Sequence, residues 1–179
     1  GISIGDPNGI GPEIILKALL EEDSLNDIIP IIYSELEIIE FYLNHLRIKG
    51  GVNIIDDPLK AKYGHLNIYQ LSNSNFKIDF GKQKKESAQV ALKSLSKASE
   101  HTVKNLIDGI VTAPIDKNTI QGHNFDFSGH TEYFTSIVSR SQSLMLMAHG
   151  KLKVGIVTNH LSIDQVSKAI TVGAILNKI

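Results

Sequence analysis

Several residue types that define common classes of protein are missing from this chain. It contains no cysteine and no tryptophan, and only two methionines. Without cysteine, disulfide frameworks and thiolate metal sites are excluded. No apolar run approaches the roughly 20 residues that a membrane-spanning helix needs, and no basic segment precedes the opening Gly1-Ile2-Ser3-Ile4 as it would in a signal peptide. We therefore expect a cytoplasmic protein that does not enter a membrane.

A strong charge of one sign is also missing. The 18 basic and 19 acidic residues give a formal net charge of −1, so no electrostatic feature favours nucleic acid or an anionic membrane as a partner. Apolar residues make up 42% and charged residues 21% of the chain, as is typical of globular proteins. A length of 179 residues suits one ordinary domain or one lobe of a larger enzyme.

Neither end of the sequence carries a signal for the start or stop of a structural element. The chain opens inside a predicted strand and stops at Ile179, inside a predicted helix. A glycine cap or a polar tail would be usual at such an end. We interpret the chain as a fragment of a longer polypeptide, with a naturally short chain as the alternative.

The hydrophobic pattern alternates between short apolar strands and helical segments. Strands are predicted at 2–4, 28–33, 52–55, 66–71, 109–112, 143–148 and 153–158. Helices are predicted at 12–20, 35–46, 84–107, 131–139 and 161–179, with a long surface loop at 72–85. This alternation predicts a three-layer α/β/α fold. The last two strands, joined by residues 149–151, suit an antiparallel hairpin, so we expect a mixed sheet.

A glycine-rich run lies between the first strand and the first helix. Residues 5–13 read Gly-Asp-Pro-Asn-Gly-Ile-Gly-Pro-Glu, and the backbone N–H groups of such a turn suit an anion. The run is neither a Walker A loop, because no Gly-Lys-Ser/Thr follows, nor a dinucleotide fingerprint, because the glycine spacing differs. A tight turn with no ligand is the alternative interpretation.

A second segment follows the predicted buried strand at 109–112. Residues 112–117 read Thr-Ala-Pro-Ile-Asp-Lys and lie at the carboxyl end of the strand, where open α/β sheets place their ligands. Lys117 suits a phosphate or carboxylate as a point charge. An isolated lysine after a strand is more often simply solvated.

Two histidines lie at the starts of predicted helices. His130, in Ser128-Gly129-His130-Thr131-Glu132, is placed to donate to an anion, while Thr131 and Glu132 suit capping and the helix dipole. His160 follows a strong apolar strand and is a candidate metal ligand, although a catalytic metal needs about three protein ligands. Structural roles remain open for both. The other histidines are interpreted as surface residues: His45, His65, His101, His123 and His149.

Taken in order, these segments resemble the 4-hydroxythreonine-4-phosphate dehydrogenase family of pyridoxal phosphate biosynthesis. The glycine-rich run is similar to the family's N-terminal signature, and residues 112–117 are similar to a Gly-Pro-Val-His-Lys type segment. Residues 127–134 look like its substrate-binding segment, and residues 154–161 resemble a strand that ends in a Thr-Thr-His-Leu-Pro metal segment. The likeness extends over essentially all 179 residues.

The resemblance implies a two-domain α/β/α subunit related to isocitrate and isopropylmalate dehydrogenases, of which residues 1–179 are the N-terminal portion. It also implies a homodimer that oxidises and decarboxylates 4-phosphooxy-L-threonine with NAD or NADP and a divalent metal (Zn, Mg or Co). By position, His130 and Thr131 correspond to substrate-binding residues, His160 to a metal ligand and Lys117 to a lysine of the same cleft, which we take as catalytic. No position is assigned to cofactor binding.

Two residues depart from the family pattern, and part of the site is missing. Asp116 stands where the family often has His, and Ser162 where it has Pro. The resemblance places two further metal-ligand histidines in the absent C-terminal part, so we expect this chain alone to be inactive. Alternatives are a paralogue acting on threonate or erythronate 4-phosphate, and a non-catalytic fragment that binds a phosphate ligand.

Overall fold

The computed structural model describes residues 1–20, 25, 27–72, 74–121, 125–127, 129–138 and 143–178. The chain divides into two compact units, Gly1–Ser128 and Gly129–Ile179. Among the residues described, no helix is both long enough and apolar enough to cross a membrane.

The first unit alternates strands and helices along the chain. Its strands are β1 (Ile2–Ser3), β2 (Ile31–Ser34), β3 (Val52–Ile55), β4 (Leu66–Gln70) and β5 (Val111–Thr112). Its helices are α1 (Gly11–Leu20), α2 (Leu36–Leu46), α3 (Lys85–Val103) and α4 (Lys117–Gln121), with a 3₁₀ turn at Pro58–Lys60. The predicted alternation is therefore confirmed, with most boundaries shifted by a few residues.

All five strands of this unit run parallel in one sheet, in the order β3-β4-β2-β1-β5. Ile2 of β1 lies between Ile32 of β2 and Val111 of β5. Their carboxyl ends, and the loops that follow them, therefore lie at the same edge of the sheet. This edge is where parallel α/β proteins place their ligands.

Alternate residues of β2 pack on opposite faces of the sheet. Ile32 joins a core with Leu16 of α1 and Ile39 of α2, whereas Tyr33 packs with Ala98 of α3. Side chains along a strand point to alternate faces, so these contacts put helices on both faces. The α/β class predicted from the sequence is confirmed.

A buried serine of α3 connects the helix to the sheet. The Ser94 hydroxyl donates a hydrogen bond to the carbonyl of Tyr33 (2.6 Å) and accepts one from the N–H of Ile4 (2.9 Å). Ser94 is fully buried, and burial leaves backbone groups in need of partners. The hydroxyl supplies that partner to two adjacent strands at once.

The second unit contains α5 (His130–Ile137), β6 (Met145–His149), β7 (Leu152–Ile156), α6 (Ile163–Ala169) and α7 (Val172–Leu176). The strands β6 and β7 pair antiparallel, with Met147 opposite Val154, and Gly150 in the turn has a φ of +54°. The predicted hairpin is confirmed. Parallel and antiparallel pairings both occur as expected, but in two separate sheets.

The last helix and one histidine differ from the sequence interpretation. The final helix expected from 161 to 179 is interrupted, because Ile170 is extended and Thr171 caps a new helix by accepting from the N–H of Ala174. His101 is not a surface residue: it is 6% exposed, and its Nδ1 lies 2.8 Å from the Tyr33 hydroxyl. His45, His65 and His149 are exposed as predicted, while His123 lies outside the described residues.

Candidate functional site

The glycine-rich run forms a tight turn after β1, against the loop that follows β5. Gly5 has a φ of +69°, and a Cβ there would lie 2.3 Å from the carbonyl oxygen of Pro114. A Cβ on Gly11 would lie 2.7 Å from the carbonyl oxygen of Ile4. The N–H of Asp6 donates to the Pro114 carbonyl at 2.9 Å. Glycine is thus required at two positions by close backbone approach, as the tight-turn interpretation expects.

Asn8 holds the turn to the segment before α3. It is 2% exposed, and its Nδ2 donates to the carbonyl of Lys82 (2.8 Å). Its Oδ1 accepts from the N–H of Asp79 (2.8 Å), and its carbonyl accepts from the N–H of Gly81 (2.9 Å). In the predicted surface loop at 72–85, the described residues 72 and 74–84 contain no helix or strand, but these bonds fix part of the loop. The sequence pattern contained no signal for this role.

Tyr42 of α2 contacts the same turn through its hydroxyl. Its hydroxyl lies 2.8 Å from the carbonyl oxygen of Pro7 and 3.0 Å from that of Gly9. Burial, together with the negative charges of Asp6 and Glu13, raises the pKa of Tyr42 to about 12. The hydroxyl therefore stays protonated at neutral pH and acts as a donor to the turn. Nothing in its helical position pointed to this contact.

In the segment after β5, Asp116 has a structural role. Its Oδ1 accepts from the N–H of Thr119 (2.8 Å), so that it caps α4, and its Oδ2 accepts from Nε2 of Gln83 (2.7 Å). These hydrogen bonds, chiefly that from Thr119, lower the pKa of Asp116. Lys117 is the first residue of α4 and is exposed. The structure thus brings the glycine-rich turn and the segment 112–117 together at the carboxyl edge of β1 and β5.

His130 and Thr131 lie in the first turn of α5, in the second unit. The N-cap is Gly129, with an extended backbone and no side-chain cap bond, so the capping role suggested for Thr131 was wrong. The ring of His130 stacks on that of Phe134, with centroids 6.3 Å apart. The side chain of Thr131 is exposed. Their assignment to substrate binding stays a prediction.

His160 lies between β7 and α6, with an exposed side chain and a φ of +56°. Within the described parts of the chain, no group of three or more His, Asp or Glu side chains is placed to hold a metal ion. The described residues therefore do not make up the donor set of a catalytic metal. The assignment of His160 as a metal ligand stays a prediction.

The first unit is therefore an α/β fold in which the glycine-rich turn and the segment 112–117 follow the carboxyl ends of parallel strands, whereas His130, Thr131 and His160 lie in the second unit. Residues 26–179 match the sequence model of the family described as Pyridoxal phosphate biosynthetic protein PdxA. The chain belongs to this family, which confirms the resemblance found in the motifs.

Named relatives match the chain along its whole length. A 4-hydroxythreonine-4-phosphate dehydrogenase of Bacteroides thetaiotaomicron is 34% identical, over 100% of this chain and 50% of the relative. A Clostridium botulinum protein, provisionally named D-threonate 4-phosphate dehydrogenase, is 26% identical over 100% of this chain and 54% of the relative. The chain spans about half the length of the curated relatives it matches.

A solved structure supports the fold. The crystal structure of a 4-hydroxythreonine-4-phosphate dehydrogenase from Burkholderia phymatum superposes with a TM-score of 0.87 at 24% identity, over 98% of this chain and 54% of that one. At this level of identity the likeness concerns the fold alone. The same α/β arrangement therefore occurs in about half of a longer chain.

Proposed function

We propose that this chain supplies part of a dehydrogenase that oxidises 4-phosphooxy-L-threonine with NAD or NADP. The observation that carries the proposal is the end-to-end match to the Bacteroides relative, at 34% identity. In the reaction, hydride passes from the secondary alcohol carbon to the nicotinamide while the alcohol oxygen loses its proton. The resulting 3-keto acid then loses CO2. The cofactor accepts the electrons, so the protein mainly positions and polarises the substrate.

In this proposal His130 and Thr131 bind the phosphorylated substrate at the start of α5. The N-terminus of a helix favours negative charge, and both an imidazole N–H and a hydroxyl donate hydrogen bonds to phosphate oxygens. Lys117, in the first unit, is proposed as a catalytic residue. These roles rest on the family correspondence.

The described residues do not provide the full ligand set of a divalent metal ion. A divalent cation in such a dehydrogenase would lower the pKa of the substrate alcohol. We assign His160 as one of its ligands. The enzyme is further proposed to act as a homodimer in the cytoplasm.

The test uses a fusion of residues 1–179 to the part of the Bacteroides relative that lies outside the match. Reduction of NAD+ and NADP+ is followed by absorbance with 4-phosphooxy-L-threonine and a divalent metal. We expect turnover by the fusion and none by residues 1–179 alone. The His160→Ala fusion should lose metal-dependent turnover, whereas the control His65→Ala, which changes an exposed histidine, should retain it. Full activity of His160→Ala would overturn the assignment of the ligand.

A second candidate substrate is D-threonate 4-phosphate, which is favoured by the name of the Clostridium botulinum relative. Both substrates are phosphorylated four-carbon hydroxy acids, so the same groups in α5 suit either. Comparing kcat/KM of the fusion for the two compounds decides between them. A preference for the threonate compound of tenfold or more, which is about 1.4 kcal/mol in transition-state binding, would replace the first proposal.

A non-catalytic role remains a third candidate, because the chain spans only about half of its relatives. In that case residues 1–179 bind the phosphorylated compound without turnover. Calorimetric titration of the chain with 4-phosphooxy-L-threonine, repeated with Thr131→Val, tests this role. Heat that is lost in the variant supports binding at α5, and the absence of heat in the unchanged chain contradicts it.

A further inference from the structure

A groove with basic walls lies beside α3 in the first unit. It consists of two adjoining cavities of about 590 and 510 Å3 that share Lys93 as a lining residue. The larger cavity lies between α3 and the chain that leaves β4, and Ser72, Ser96 and Lys97 also line it. Each volume falls within the range of small-molecule sites. None of the residues assigned above to substrate or metal lines either cavity.

Positive charge predominates along this groove. Its lining contains four lysines and two glutamates, Glu86 and Glu100, and one of the lysines, Lys84, is paired with Asp79 at 2.9 Å. Glu100 is already engaged, because its two oxygens lie 2.6 Å from the ammonium groups of Lys97 and Lys104. Those two contacts lower the pKa of Glu100 to about 2, with that of Lys104 the larger cause. The carboxylate therefore has little capacity left to neutralise a further lysine.

Lys93 lies where the two cavities meet. In the described part of the chain no carboxylate forms an ion pair with it, and its Nζ lies 3.4 Å from the Ser72 hydroxyl oxygen. One helical turn away in either direction are Gln89 and Lys97. Like charges at this spacing on a helix repel each other. Because Lys97 is already paired with Glu100, an anion bound beside the two lysines would chiefly neutralise Lys93.

Backbone and carboxylate contacts fix the wall of the groove opposite α3. The N–H of Leu71 donates to the carbonyl of Ser34 at 3.0 Å. Both the N–H and the hydroxyl of Ser74 donate to Oε2 of Glu35, at 3.0 and 2.9 Å. Glu35 is 1% exposed and Ser74 is exposed, so the contact is partly buried. The wall that carries Ser72 is held at both ends before any ligand binds, which lowers the cost of binding.

We propose that the groove binds a small molecule through a phosphate group, which contacts the ammonium groups of Lys93 and Lys97 and the hydroxyls of Ser72 and Ser96. A phosphate suits these four donors because it offers several acceptor oxygens and more than one negative charge. The remaining volume accommodates the rest of the molecule. This site is independent of the proposed dehydrogenase reaction.

The test is a titration of the full chain with inorganic phosphate at constant ionic strength, followed by amide chemical shifts in NMR spectra. We expect saturable shifts at Ser72 and Ser96. Lys93→Gln should weaken binding about tenfold, as expected for one charge-assisted hydrogen bond. The matched control Lys60→Gln removes an exposed lysine that is paired with Asp56 outside the groove, and it should leave binding unchanged.

A second variant keeps the test decisive if Lys93→Gln disturbs the helix. Ser72→Ala removes one proposed donor from the opposite wall, and it should weaken phosphate binding severalfold with the fold intact. Non-saturable shifts, equal weakening by Lys93→Gln and Lys60→Gln, or shifts confined to α5 would each overturn the proposal. Because the readout is binding and not turnover, its result does not depend on the dehydrogenase assay.

Discussion

The two units of the chain bury their apolar side chains to very different extents. In the first unit Ile4, Leu16 and Ile32 are fully buried in one cluster that joins the sheet to α1 and α2. In the described residues of the second unit no residue is buried, and Ile163 and Val172 are 92% and 75% exposed. Apolar periodicity is present in both units, but it produces a core in only one of them.

The number of layers explains this difference. The first unit covers both faces of a five-stranded sheet with helices, and stacked layers are what create an interior. The described residues of the second unit form one two-stranded hairpin and three short helices, and a lone hairpin is marginally stable in water. The first unit should therefore respond strongly to core mutations, and the second should respond weakly.

The largest contrast is expected from matched leucine truncations in helices of the two units. Leu16→Ala in α1 should lower the free energy of unfolding by about 2–5 kcal/mol, because it leaves a cavity in a buried cluster. Leu176→Ala in α7, where the side chain is 66% exposed, should cost no more than about 0.5 kcal/mol. Urea unfolding followed by circular dichroism measures both values. Equal losses would show that the second unit also has a core.

A second contrast comes from two glycines with positive φ. Gly5→Ala should cost about 3 kcal/mol, since the added Cβ meets the Pro114 carbonyl in addition to the backbone strain. Gly150→Ala in the hairpin turn has open space around the Cβ, so only the strain of about 1 kcal/mol remains. Urea unfolding followed by circular dichroism measures the cost of each substitution. A cost at Gly5 no larger than that at Gly150 would contradict the close approach.

Two serines test the value of a buried hydrogen bond against an exposed one. Ser94→Ala should lower the free energy of unfolding by about 2 kcal/mol. The N–H of Ile4, directly after β1, and the carbonyl of Tyr33 in β2 both lose the hydroxyl that they bond. Ser136→Ala removes an exposed bond to the carbonyl of Tyr133 and should change the free energy of unfolding by less than about 0.5 kcal/mol. Faster amide exchange at Ile4 in Ser94→Ala would locate the effect.

The smallest effect concerns pH. Burial, with the charge of Lys97 as a lesser cause, lowers the pKa of His101 below its ordinary value of 6.5. Between the two pKa values the unfolded chain binds more protons, so stability is complete above about pH 6.5 and falls as the pH drops toward the folded-state pKa. In His101→Gln, the free energy of unfolding should depend less steeply on pH across this range. In His149→Gln, which changes an exposed histidine of the second unit, the pH dependence should stay as it is in the unchanged chain.

Local pattern predicted most of the elements but few of the contacts of the site. The strand β3 was predicted to the residue and the hairpin was recognised from the segment around Gly150, because periodicity and turn residues act over a few neighbours. The break in the last helix was missed, since the cap formed by Thr171 competes with a helical pattern that continues through it. Asn8 and Tyr42 were missed because their partners are distant in the sequence.

The sequence by itself determined the order and type of most elements, the glycine-rich tight turn and the family resemblance that the comparisons confirmed. These depend on side-chain size, backbone freedom and spacing within short segments. The tertiary structure alone decided the strand order, the burial of His101 and the groove beside α3. Each of these brings together residues tens of positions apart, and such contacts depend on how whole layers pack and not on local pattern.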